Sequence, residues 1–313
     1  MFFDLTDFMN LTDFMDSLLE KAGELGFDAC GVAPVDVLSR EKERLLHWLS
    51  KGFQAGMGYM ANNIEKRENP ALLVEGARSV IVTLTNYYTP RKQDIQAPVV
   101  ARYAYGKDYH IVVKDRLHRL LAFLRENSRQ EITGRVFVDS APVFEHEWAR
   151  RAGLGWIGRN TLLINPRLGS YCFIGVIISD FEPSRYSLPE ERDFCGRCNR
   201  CVEACPTGAL SSREVNANLC ISYNTIERKG EIPSEIKEKM GERFFGCDAC
   251  QEVCPWNGKA AMHHVDEFLP NEWLMRIDRE EWLSLDEATF KERFKDSPLL
   301  RPGLEQIKRN LDT

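Results

Sequence analysis

The run CGRCNRCVEACP sets Cys195, Cys198, Cys201 and Cys205 at spacings of two, two and three residues, with Pro206 directly behind. That spacing is the bacterial ferredoxin pattern for a [4Fe–4S] cluster, so this stretch is expected to fold around an inorganic core. A second, shorter run, CDACQEVCP, supplies Cys247, Cys250 and Cys254 ahead of Pro255, and Cys220 upstream stands as its missing fourth ligand. Three cysteines on a tight turn can cap three corners of a cubane. The fourth, leading into a proline-started helix, points away and serves the other cluster. The resulting assignment is crossed: Cys195, Cys198, Cys201 and Cys254 for one cluster, Cys205, Cys220, Cys247 and Cys250 for the other. Two zinc sites are the competing reading, since CxxC pairs also bind zinc, but zinc rarely uses this run. The crossing brings the clusters close together, which suits a one-electron relay. Cys30 and Cys172 lie in apolar, strand-like surroundings and read as small buried hydrophobes.

Ten cysteines are many for a chain whose N-terminus, MFFDLTDFMN, carries acids and no basic segment. It does not read as an export signal, so a reducing, cytoplasmic setting and metal or redox chemistry are expected rather than disulfides. The 313 residues are 43% hydrophobic and 28% charged, enough for one large or two modest cores. No apolar run approaches the ~20 residues that span a bilayer. Lys and Arg total 41 against 47 acids, a net charge of −6 that argues against indiscriminate nucleic-acid binding while leaving room for a local basic patch. No G-x-G-x-x-G follows the first strand and no P-loop occurs, so nicotinamide chemistry and nucleotide hydrolysis lack support.

Periodicity divides the chain into three parts: 1–185, 186–258 and 259–313. Leu11, Phe14, Leu18, Leu19, Ala22 and Leu25 recur at helical spacing up to Gly26. Strands are expected at Asp28–Val35, Ser79–Tyr88, Val136–Val138 and Tyr171–Ser179. Helices are expected through Arg44–Leu49, across His110–Glu126, and from Pro142 to about Gly153. The fold class is α+β with an α/β-like alternation, followed by a two-cluster ferredoxin-like part and a short helical C-terminus.

Several stretches carry a resemblance. RYAYGKDYH (Arg102–His110), VDSAPVFEHEWARRAGLGWIGRNTLLI (Val138–Ile164), the cysteine runs, CISYNTIERKG (Cys220–Gly230) and FGCDACQEVCPWN (Phe245–Asn257) resemble the epoxyqueuosine reductase family, from about Phe27 to Asn310. The resemblance implies a first domain similar to reductive dehalogenases and bound cobalamin beside the two clusters. It also implies the last step of queuosine synthesis at the tRNA wobble position, with electrons from an external low-potential carrier of flavodoxin or ferredoxin type. It makes Asp139 the proton donor, and burial beside a corrin is expected to raise its pKa. The alternative for Asp139 is an N-cap, a role Ser140 can share. Matching cofactor positions are Asn62 (often arginine in the family), Arg102, Tyr103, Gly106, Asp108, Asp139, Ser140, Arg159, Asn160, Thr161 and Asp248. Asp108-Tyr109-His110 only partly matches the corrinoid motif Asp-x-His-x-x-Gly, because Val113 stands where the glycine belongs, so His110 is not taken as a cobalt ligand.

For tRNA the resemblance singles out Tyr223, Glu227 and Lys229. Arg228, Lys237, Lys239 and Arg243 lie near them, and Lys114, Arg116, Arg119, Arg150 and Arg151 extend a possible basic rim. Relatives often carry a further C-terminal helical-repeat module, and this chain stops at RPGLEQIKRNLDT, where it would begin; tRNA binding is then expected to rest on the core and to be salt-sensitive. A monomer with no membrane attachment is expected. The runner-up function is a corrinoid and iron–sulfur dehalogenase of small organohalides, and a ferredoxin with an appended scaffold is the non-enzymatic reading.

Overall fold

The computed structural model describes residues 5–128 and 130–312, with side chains from residue 14 onward. Its centre is a four-stranded sheet of β1 (Ala29–Pro34), β2 (Ser79–Asn86), β3 (Gly134–Phe137) and β4 (Cys172–Ser179), in the order β1-β2-β4-β3. All of its pairings are antiparallel, with Ala29 opposite Leu84, Thr83 opposite Gly175 and Val136 opposite Ile177. The α+β class holds, and the α/β-like alternation is corrected. Alternating helices and strands do not fix strand direction when connections as long as 87–108 and 152–171 turn the chain around again.

SVIVTLTN is β-branched and apolar throughout because β2 is covered on both faces, and all eight of its residues are buried. One face carries Ile81 and Ile177 against α1 (Leu5–Glu24) and α3 (Tyr109–Asn127), through Leu18, Ala22, Val113, Leu117, Leu120 and Leu124. The helical spacing of those leucines is what puts them on a single stripe. The other face carries Val80, Val82 and Val176 against Trp148 and Ala149 of α4 (Glu145–Arg151). Each fully buried aliphatic side chain contributes roughly 1.5–3 kcal/mol. Helix α1 ends as expected at Gly26, whose φ of +83° suits a residue without a Cβ. Between β1 and β2 lies α2 (Ser39–Ser50), which extends past Arg44–Leu49 on both sides.

Helix α4 starts at Glu145 rather than at Pro142, and its N-cap position is Phe144, without a side-chain cap. Neither Asp139 nor Ser140 caps it. The Ser140 hydroxyl turns back to donate to the Val138 carbonyl at 3.2 Å.

Beyond residue 194 regular structure becomes sparse. Helices Arg200–Glu203 and Ala249–Glu252 have four residues each, and Ile221–Ile226 and Ser234–Met240 are little longer. The last part is helical as expected, at Arg279–Ser284, Glu287–Arg293 and Leu304–Leu311. Its Trp282, Phe290, Phe294 and Ile307 share one core with Val100, Tyr105, Phe244 and Phe245. The C-terminal segment is therefore packed into the molecule on both sides. Among the described residues no helix is long and apolar enough to cross a membrane.

Candidate active site and cluster centres

The two cysteine runs close around two separate cavities. One, of about 270 Å³, is lined by Cys195, Cys198, Cys201 and Cys254, and the other, of about 280 Å³, by Cys205, Cys220, Cys247 and Cys250. The fold brings the thiols together in the same two crossed groups of four that the spacing suggests. Within each set the thiols act on one another, although Cys201 of the first set also raises Cys250 of the second. Burial raises Cys254, and the neighbouring Cys195 and Cys198 add to the rise. Burial likewise pushes Cys247 up to about 11, with a contribution from Cys220. Among the described residues no three His, Cys, Asp or Glu side chains converge on a single-ion site. Four thiols standing around a space fit a cubane, whose irons each take one ligand, better than a lone zinc. The surroundings fit as well. The Trp156 indole N–H points at Cys195 Sγ at 3.4 Å, and the buried Asn160 Nδ2, on the wall of both cavities, has no partner among the described residues. Such donors suit cluster sulfur.

Next to the second cavity is a larger one of about 570 Å³, whose wall includes Asp108, Tyr109, His110, Asp139, Phe173, Cys220, Tyr223, Glu227 and Arg301. A third, of about 750 Å³, continues from it past Trp48, Met60 and Val215 to Arg67, Glu145, Thr161 and Arg213. Trp48, Met60 and Val215 border both of these larger spaces, which are taken together as one chamber, and Val215 also borders the second cluster cavity beside it. A flat aromatic wall, where Tyr109 stacks on Phe173 at 4.2 Å and 3°, a polar fringe and the partnerless buried Arg67 Nε fit a corrin with its amide and phosphate groups.

Asp139 sits where the chain leaves β3, at a φ of +56° that costs a non-glycine residue about 1 kcal/mol. Its backbone N–H donates to Glu145 Oε1 at 2.7 Å, which holds the turn. Its carboxylate accepts from the Tyr109 hydroxyl at 2.7 Å and lies 3.5 Å from His110 Nε2. His110 Nδ1 in turn meets Asp108 Oδ1 at 2.8 Å, and Asp108 also caps α3. The expected rise of the Asp139 pKa is thereby corrected. The His110 hydrogen bond holds the carboxyl below its usual value against the effect of burial, and Tyr109 assists. Burial opposes charge on His110, yet Asp108 and Asp139 together raise it to about 9. The stored proton is on the imidazole. Glu145, pushed up to about 8 by burial and by the neighbouring Asp139, is a second protonated group at neutral pH.

The other cofactor positions separate. Tyr103, Asp108, Asn160, Thr161 and Asp248 border the chamber or the cluster cavity that opens from it. Arg102 instead is a buried clamp between the two halves of the molecule. Its backbone N–H donates to Asp248 Oδ2 at 2.8 Å, and its guanidinium donates to the same oxygen at 3.3 Å and to Glu252 Oε1 at 2.9 Å. Gly106 is a packing point, since a Cβ there would come within 2.6 Å of the Glu267 carbonyl oxygen. Arg159 donates to Asn199 Oδ1 and the Gly196 carbonyl, both at 2.7 Å, bracing the first cluster loop. Asn62 and Ser140 are exposed and line none of these cavities.

Of the tRNA candidates, Tyr223 and Glu227 line the chamber, while Lys229 is exposed outside it and reaches Gln306 at 3.4 Å. Much of the supposed basic rim is neutralised: Arg150 and Arg151 pair with Glu147, and Arg116 pairs with Glu267. The sequence reading missed Arg301, which reaches Glu227 Oε1 at 2.5 Å across the chamber mouth, and no local motif marks it. It also missed Tyr109 and Glu145, although both lie inside quoted motifs.

Residues 67–140 match the family model "Epoxyqueuosine reductase QueG, DUF1730", and residues 194–257 match the 4Fe-4S double cluster binding domain. An epoxyqueuosine reductase of Leadbetterella byssophila is 45% identical over 96% of this chain and 98% of its own length. The chain belongs to the epoxyqueuosine reductase family. It is accordingly an oxidoreductase with a double-cluster domain. A crystal structure of an epoxyqueuosine reductase with an epoxyqueuosine-modified tyrosine-tRNA stem loop superposes at a TM-score of 0.87 and 32% identity, covering 96% of this chain and 80% of that one. The Bacillus subtilis epoxyqueuosine reductase, at a TM-score of 0.88 and 31% identity over the same shares, was captured with its catalytic aspartate loop swung out of the active site.

Proposed function

We propose that this chain removes the epoxide oxygen of epoxyqueuosine at the wobble position of tRNA, in the chamber that joins Asp139 to Cys220. The observation that carries this reading is the shared wall: Cys220 borders both the chamber and the second cluster cavity, so electrons and protons converge on one space. The reaction takes two electrons and two protons, turns the epoxide into an alkene and releases water. Cobalamin, when bound, supplies an electron-rich metal centre for that deoxygenation, and the clusters supply electrons singly.

The chain's own residues do the rest. Thr161, Asn160, Arg67 and Arg213 offer polar contacts to the cofactor's periphery, and Tyr109 and Phe173 form its apolar wall. The departing oxygen needs an acid, and the Tyr109–Asp139–His110 unit holds one. His110 keeps the proton, and Asp139, hydrogen-bonded to both neighbours, is the group at the chamber surface through which it passes. With both imidazole nitrogens facing carboxylates, His110 has no lone pair directed at a metal. Glu145 fixes the Asp139 turn, which supports assigning Asp139 the part that the moving aspartate loop has in the Bacillus subtilis enzyme. Tyr223, Glu227 and Arg301 at the mouth receive the nucleoside, and Lys229 meets the backbone outside it. Each set of four thiols comes from within one chain, which fits a monomer, and a tRNA substrate fits a cytoplasmic setting.

The test is to incubate cluster-loaded protein with cobalamin, epoxyqueuosine-bearing tRNA and a strong chemical reductant, then weigh the nucleosides. Loss of one oxygen from the modified base is the expected result. Unchanged epoxyqueuosine with both cofactors bound would overturn the reading.

A further inference from the structure

The two cluster cavities are not equivalent. The one holding Cys220 shares a wall with the chamber, and the one holding Cys195 does not. The latter opens instead among Phe194, Trp256, Arg200 and Lys259. Phe194 is 36% exposed, and Arg192 lies over its ring at 4.8 Å. Arg197, Arg200 and Lys259 are exposed and pair with no acid among the described residues. Of the acids nearby, Glu190 pairs with Arg192 and Asp193 with Arg213, while Glu191 and Glu203 are exposed without an ion pair among the described residues and sit at the edge of the face. A chain with a net charge of −6 thus surrounds the outer cluster cavity with unpaired cations and an apolar centre.

From this we infer that the face formed by Phe194, Arg197, Arg200 and Lys259 is the docking surface for an acidic one-electron carrier protein. The inference rests on the two-cluster reading above and adds the point where current enters. A carrier docked here gives up one electron and is oxidised by one, and the outer cluster is reduced by one. Two dockings supply one epoxide. Charge complementarity speeds such encounters and keeps them brief, as repeated delivery requires. A protein fits better than a nucleic acid, because Trp156, Phe194 and Trp256 are packed tilted or edge-on against one another at 4.8 to 5.9 Å, and Arg192 lies over the ring of the exposed Phe194, where a base would have to stack.

The test uses the cluster-loaded full chain and reduced flavodoxin as the acidic probe. Combining Arg197→Glu, Arg200→Glu and Lys259→Glu should weaken flavodoxin binding, measured by titration, by ~30-fold or more. Raising salt from about 50 to about 300 mM should weaken wild-type binding and leave the variant little changed. The tRNA gel shift, the cluster absorbance and turnover driven by a small chemical reductant should not change. The triple glutamine variant guards against misfolding and should lose binding to a smaller extent. Unchanged flavodoxin affinity in both variants would overturn the proposal. So would loss of chemically driven turnover, which would make these cations tuners of the cluster, or loss of the tRNA shift with flavodoxin binding intact. If wild-type protein binds flavodoxin but leaves epoxyqueuosine unchanged under chemical reductant, the proposed function fails and this docking face stands.

Discussion

Strand β2 buries all eight of its residues between two apolar layers, whereas residues 194–257 contain helices of four to seven residues and a separate apolar cluster of only four buried side chains, Ile221, Ile232, Ile236 and Met240, with Phe244 and Phe245 packing instead into the core of the C-terminal part. The first region has a continuous apolar core on both faces of its sheet. The second is short of core and holds eight thiols where side chains would otherwise pack, so its stability depends on what those thiols bind. The sheet half is a scaffold, and the cluster half is a set of loops ordered by inorganic centres.

The sharpest way to break this contrast is to take a cluster away. Cys250→Ala should abolish turnover and expose amides across 194–257 to hydrogen exchange, while β2 and β4 stay protected. Equal loss of protection in the sheet would show that the halves fold as one unit. Next in size is Asp139→Asn, which should lower turnover ~100-fold or more while cobalamin binding and melting temperature hardly move. Near-full activity would remove Asp139 from the chemistry.

Arg102→Ala tests the joint between the halves. It leaves the buried Asp248 without its cation, a loss of roughly 3–5 kcal/mol, and should split thermal unfolding into two transitions. A single, unshifted transition would mean that the halves are coupled elsewhere.

The smallest effect is in pH. His110 titrates near 9 when folded and near 6.5 when unfolded, so its pairing with Asp108 and, secondarily, Asp139 stabilises fully below about 6.5 and is lost as pH rises through 9. The melting difference between wild type and His110→Gln should therefore shrink between pH 6 and pH 10. About 1–2 kcal/mol is at stake, because Asp139 is half exposed and partly screened. A difference that is flat with pH would place the proton elsewhere.

The same division explains what was legible in the sequence. The grouping of the eight thiols into two sets of four could be read from spacing, because a cubane imposes its own geometry on any chain that binds it. The leucine stripe of α3 and the apolar run of β2 were plain because a covered sheet demands them. Strand direction was not legible, since it depends on how long loops turn. Gly106 and Arg102 looked like cofactor residues in their motif, yet Gly106 abuts the Glu267 carbonyl and Arg102 grips Asp248, both contacts with chain far away in sequence. The pKa of Asp139 was misread for a related reason. Burial is visible in an apolar motif, but a histidine whose second nitrogen is anchored by Asp108 shows itself only in three dimensions.

The helix Ile221–Ile226 begins just after Cys220, carries Tyr223 and is followed by Glu227, so the proposed cluster ligand and the proposed nucleoside contacts hang on the same two turns. Drift in that stretch is subject to two unrelated demands at once. A variant that accommodates a different anticodon neighbour also shifts a sulfur atom on the electron path, and retuning the path moves the aromatic ring and the carboxylate that greet the RNA. Evolution has correspondingly little room to alter either property here without disturbing the other.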